Sequence, residues 1–361
     1  MTIKSTGEDA YFCASNSAFG FYSYYPQCFD SPRIGRVFAI KGGPGTGKSR
    51  FLREVARYGE ERGWKCEYIY CSSDADSLDG VILSREEECM ALLDATAPHV
   101  YEPSQPGVRE ELVNLGAFWD RDALRRRAEE IKRLTTEKKD AYRMAYRYLA
   151  AYGEMSANRD ELVLPYLRPD AMESYAERLL WNVAQGRAFV SEPALIRSVG
   201  MGGRIGFDTY FARAKRIYLV EDCRGCAQYF MRILYHMAER KRLRIRVSYD
   251  PVLPDRIDGI FLCESGIAIV VGKAEECAYP HKPVGTRRFV NISSMKKIKA
   301  PLVHAEQMCR AMLGGAVDAL ERVRAAHFRA EEIYGSAMDF EKKEAFTKKF
   351  CEELFDLQSD E

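Results

Sequence analysis

Gly42-Gly43-Pro44-Gly45-Thr46-Gly47-Lys48-Ser49 is the stretch from which the rest of the chain is read. An apolar run, Val37-Phe38-Ala39-Ile40, precedes it, and helix-forming residues 50–62 follow. Strand, glycine loop and helix are the context that the phosphate-binding pattern G-x-x-x-x-G-K-[ST] requires. Glycines let the backbone curl through positive φ, so that successive N–H groups point at one anion. The helix N-terminus adds to that attraction. In this reading the loop cradles phosphate, Lys48 reaches the β- and γ-phosphates of ATP, and the Ser49 hydroxyl ligates Mg²⁺. The competing reading is a glycine-rich turn with an incidental lysine. It is outweighed because strand and helix flank the full pattern.

Downstream, Phe51, Leu52, Val55 and Tyr58 share one helix face, and Gly63 is placed to end that helix. Residues 66–70 read as a strand. Cys89-Met90-Ala91-Leu92-Leu93-Asp94 reads as an apolar strand ending in a carboxylate, the form of a Walker B element whose Asp94 helps hold Mg²⁺. The next residue is Ala95, where many hydrolytic P-loop enzymes carry a glutamate. His99 is the first candidate to orient water or touch the γ-phosphate; beside Pro98 it also reads as a structural hydrogen-bonding residue. Asp74, Asp76 and Asp79 crowd a loop after a strand, where α/β sheets bind ligands, although Asp and Ser also favour turns.

The chain has 361 residues, which suggests two domains. It is 47% hydrophobic and 30% charged, enough for a sizeable core and a charged surface. A net charge of +1 does not indicate a nucleic-acid partner. No run approaches the ~18 apolar residues of a membrane span, so no membrane partner is expected. Eleven cysteines without an apolar N-terminal signal read as reduced thiols in a cytoplasmic protein.

Residues 120–152 contain no glycine or proline and carry helical spacing; Arg125-Arg126-Arg127 reads as a solvated face or a phosphate-sensing lid. Asp170 is a candidate N-cap for a further helix through residue 185. Beyond it the first half is repeated. Ile217 lies over Val37 at an offset of 180, Asp258 over Asp79 at 179, and Ala268 over Ala91 at 177. Each copy then runs into a long helix, the second over residues 303–334. The fold expected is α/β: two P-loop NTPase-like units, each a mainly parallel sheet flanked by helices and followed by long helical segments. The units span residues 1–190 and 191–361. The second copy has lost the loop chemistry: Gln228 replaces the lysine, Tyr229 the hydroxyl, Ala227 replaces Gly47, and Val271 replaces Asp94. Cys223-Arg224-Gly225-Cys226 in that loop reads as a redox or half-zinc motif, or as drift.

The chain resembles the bacterial two-repeat P-loop proteins, found mostly in Firmicutes and described as ATPases or ATP-binding proteins. The resemblance rests on Gly20-Phe21-Tyr22-Ser23, on Lys41 with the glycine loop, on Cys71-Ser72-Ser73-Asp74 through Ser77-Leu78-Asp79-Gly80, and on Asp94-Ala95-Thr96-Ala97-Pro98-His99. It covers most of the chain, strongly in the first half. It implies ATP binding in the cytoplasm and names no substrate. The family's second repeat often keeps a recognisable P-loop, from which this sequence departs. The expectation is therefore a single-site, Mg-dependent, slow ATPase using Lys48, Asp94 and His99. The alternatives are a kinase with a small-molecule or nucleotide acceptor, and a nucleotide switch that docks a protein partner.

Overall fold

Two six-stranded sheets built on one plan organise the chain. In this computed structural model residues 2–99 and 101–356 are described. The first sheet comprises β1 (Asp9–Phe12), β2 (Arg36–Lys41), β3 (Lys65–Tyr70), β4 (Leu78–Arg85), β5 (Glu88–Asp94) and β6 (Glu110–Asn114), in the spatial order β1-β3-β4-β5-β2-β6. The second comprises β7 (Val190–Pro193), β8 (Arg216–Glu221), β9 (Arg244–Tyr249), β10 (Ile257–Leu262), β11 (Ile267–Val271) and β12 (Lys282–Gly285), in the matching order β7-β9-β10-β11-β8-β12. The fold is α/β with mixed sheets. In each, one strand (β4 or β10) runs against the other five.

That reversed strand differs from the sequence reading, which placed Asp79-Gly80 in a loop. The apolar run Val81-Ile82-Leu83 continues directly from it and is buried. Short connections on both sides force hairpins, because a parallel connection needs a crossover of a dozen residues or more. The acidic stretch is thus the turn between β3 and β4, with Asp79 already in the strand.

Helix α1 (Lys48–Glu60) follows β2 and buries Phe51, Leu52, Val55 and Ala56 on the sheet. The predicted helix from residue 120 is broken at Arg127. Asp120 caps a short helix, Arg121–Arg126, and α2 then runs Ala128–Val163, about 54 Å at 1.5 Å per residue. Next comes α3 (Pro169–Leu180). Its N-cap is Arg168, and Asp170 lies in the first turn, where its charge still favours the helix dipole. The second half contributes α4 (Ala227–Arg240), α5 (Lys299–Ser336) and α6 (Phe340–Phe355).

The helices cross between halves. The long pair α2 and α5 pack along each other through Leu134, Ala145 and Leu149 on one side and Ala316, Leu320 and Ile333 on the other. Helix α3, from the first half, covers α4 on the second sheet; α6, from the second half, covers α1 on the first. The two halves also meet directly. Phe12 stacks on Phe207 at 4.6 Å, and Thr209 donates to the Ala10 carbonyl at 2.7 Å. One apolar cluster therefore spans residues of both halves.

Candidate functional site

The loop between β2 and α1 adopts the conformation its glycines permit. Gly45 and Gly47 have φ of 69° and 75°. Gly45 is constrained twice, since a Cβ there would lie 2.5 Å from the carbonyl oxygen of Glu331 on α5. Buried Thr46 donates to the Gly43 carbonyl at 2.9 Å. Thr96, just past β5, fastens the loop from outside by donating to the Gly42 carbonyl at 2.7 Å. Its own N–H donates to Asp94 Oδ1 at 2.8 Å.

Lys48, Ser49 and Asp94 converge at the loop's mouth. Lys48 Nζ donates to the carbonyls of Gly42 and Gly43, each at 2.8 Å, and lies 3.4 Å from Asp94 Oδ2. The pairing of β2 with β5 sets Asp94 beside Ile40, level with the start of the loop. Burial raises the Asp94 carboxyl above its usual range; Lys48 opposes the rise and Asp79 adds to it. Ser49 Oγ accepts from the Leu78 N–H at 2.9 Å, which ties α1 to the start of β4.

The next residue, Asp79, is the site member that the sequence reading left in its acidic loop. It is buried, and its Oδ2 lies 3.1 Å from His99 Nε2. The His99 ring stacks on Tyr25 at 5.0 Å and meets the edge of Phe21 at 5.2 Å. Burial works against its charged form, but Asp79 and then Asp94 outweigh it and raise its pKa. Its other nitrogen, Nδ1, is buried with no hydrogen-bond partner among the described residues. His99 therefore meets the site through Asp79. Asp76 is exposed and pairs with Lys4 at the surface, whereas Asp74 lines the cleft.

These groups border a cleft of about 1180 Å³. The rest of its wall comes from α2, with Lys138 and Arg147, and from α5, with His327 and Glu331. Burial lowers the Lys138 pKa. Helical periodicity marked α2 as long, but nothing local showed that it faces the loop.

The second loop is closed by its own side chains. Asp222 accepts from the Gly225 N–H through Oδ2 and from the Ala227 N–H through Oδ1, both at 2.8 Å. A carboxylate thus occupies the amide cradle. Gln228 donates to Asp160 of α2 at 2.6 Å, and Arg256 pairs with the same carboxylate at 2.7 Å. Burial, then Asp222, raise the thiol pKa values of Cys223 and Cys226, opposite to what a reactive thiolate needs.

No protein-family model matches the chain, and neither a curated protein nor a solved structure matches it. No described helix is long and apolar enough to cross a membrane.

Proposed function

We propose that the chain binds one Mg-ATP at the loop of residues 42–49 and hydrolyses it slowly. The convergence of Lys48, Ser49 and Asp94 on a left-handed glycine loop at the mouth of a large cleft carries this reading. The backbone N–H groups of residue 43 and residues 45–49, with the Lys48 ammonium, would hold the phosphates. The Ser49 hydroxyl and the Asp94 carboxylate are hard oxygen donors that suit Mg²⁺, which neutralises charge developing on the phosphoryl oxygens. The resemblance to the two-repeat P-loop proteins points the same way, with the second loop self-capped.

Hydrolysis requires a held water. Ala95 cannot hold one, and Asp79, steadied by His99 and close enough to Asp94 to raise its pKa, supplies a buried carboxylate at the cleft. Water oxygen bonds to the γ-phosphorus, the bond to the bridging oxygen breaks, and the proton leaves toward Asp79. This substitute for the usual glutamate implies turnover below the ~1 s⁻¹ low end of typical enzymes. Phosphate release from ATP by the purified protein tests it. Release is expected to be slow, lost in Lys48→Ala, and reduced at least about tenfold in Asp79→Asn and in His99→Ala, the scale of a general base. Unchanged release in the last two variants removes the pair from the mechanism.

The cleft itself favours a second reading. It exceeds the ~300–1,000 Å³ of ordinary small-molecule pockets, leaving room for a phosphoryl acceptor beside the nucleotide. No phosphate release, with the γ-phosphate recovered on a small molecule from cell extract, would establish a kinase instead.

A further inference from the structure

Cys71, Asp79 and His99 leave three different parts of the first sheet and meet at one point. Cys71 follows β3, Asp79 opens β4, and His99 lies in the loop after β5. One donor atom from each lies within 4.8 Å of the other two, and all three residues line the cleft. Asp79 and His99 are 6% exposed. The pairing within this cluster is that of a hydrogen-bonded ion pair and is also compatible with a shared cation. The Asp79–His99 separation of 3.1 Å is close to the roughly 3.4 Å that two ligands about 2.1 Å from one tetrahedral ion show. The His99 ring keeps unused capacity, since Nδ1, the nitrogen not engaged with Asp79, is buried with no hydrogen-bond partner among the described residues.

We infer that Cys71, Asp79 and His99 form a site for a thiophilic divalent cation of the Zn²⁺ class, with its remaining coordination position facing the cleft. The donor set decides the class. A thiolate, an imidazole and a carboxylate favour zinc and its neighbours, whereas Mg²⁺ takes oxygen ligands. Three protein ligands with one position open to a cleft is the arrangement of catalytic rather than structural zinc. Binding would release the Cys71 proton, and the His99 proton where the ring is charged, to solvent, leaving thiolate and carboxylate as anionic donors and the imidazole as a neutral one. The inference rests on the hydrolysis reading and changes the part Asp79 plays in it: as a ligand, Asp79 would act on the water through the cation, which would hold and acidify it in place of the missing glutamate. Its test does not use turnover.

The purified full-length chain is stripped with a chelator and titrated with Co²⁺, whose bond to a thiolate gives a near-ultraviolet charge-transfer band. One Co²⁺ per chain is expected, with the band present in wild type and in the Cys223→Ser, Cys226→Ser double variant, and displaced by Zn²⁺. Cys71→Ser should abolish the band. His99→Gln and Asp79→Asn should weaken Co²⁺ binding by at least tenfold, with thermal melts confirming that the variants fold. The band should persist in Lys48→Ala, so that a failed nucleotide site and a failed metal site are told apart. A wild-type chain without the band overturns the inference whatever the variants do. So does a band that survives Cys71→Ser or vanishes with Cys223 and Cys226.

Discussion

A chain ending at Met338 is expected to be insoluble, or to melt on the order of 10 °C or more below the full chain. The deletion removes α6, which is distant in sequence from the first sheet yet covers it. Phe350 packs against Phe38 at 5.3 Å and Phe51 at 5.2 Å, and Phe355 meets Trp64 at 5.8 Å. Leu354 and Cys351 are buried on the same face. The deletion takes four large side chains, Phe346, Phe350, Leu354 and Phe355, out of the core and uncovers Phe38, Phe51 and Trp64, at roughly 1.5–3 kcal/mol for each fully buried one. Two of the four are only partly buried, so the total is on the order of 5–10 kcal/mol. A whole domain has about 5–15 kcal/mol of stability. Residues 1–190 expressed alone lack the same helix and should fail likewise. A soluble, monodisperse fragment with the melting temperature of the full chain would show that the crossed helices are dispensable.

Lys48→Ala should weaken Mg-ATP binding at least a hundredfold. Charge-assisted hydrogen bonds contribute about 1.5–3 kcal/mol each, and a hundredfold corresponds to about 2.7 kcal/mol. The same substitution leaves Asp94 buried without the cation 3.4 Å away. Fluorescence titration with a labelled nucleotide measures the change. Gln228→Ala, at the matching place in the second loop, should alter affinity less than twofold, because Gln228 is committed to Asp160. An affinity that falls less than threefold in Lys48→Ala would remove the lysine from phosphate recognition.

The parts of this site differ in how far they could be read from the chain. The glycine loop is local: its spacing, its strand and its helix all lie within residues 36–62. Asp94 was legible for a similar reason, as the polar end of an apolar strand. Asp79 was not, because Asp-Gly carries turn chemistry and only the hairpin shows that it begins β4. Its pairing with His99 joins elements 20 residues apart across two strand ends, which no periodicity encodes. The crossed helices are the larger gap. An amphipathic helix declares which of its faces is buried but not what covers it, so α3 and α6 read as extensions of their own halves. The internal offset near 180 did foretell a second sheet, and the shared strand order extends that repeat to topology. The loss of lysine and hydroxyl at Gln228 and Tyr229 was equally plain. That Asp222 would turn inward to cap Gly225 and Ala227 needed coordinates.

Calorimetric titration of the full chain with a non-hydrolysable ATP analogue and Mg²⁺ tests the central claim most directly. One competent loop and one self-capped loop predict a stoichiometry of one, abolished by Lys48→Ala. Two sites per chain, with half the heat surviving Lys48→Ala, or no binding to the wild-type chain at all, would contradict it.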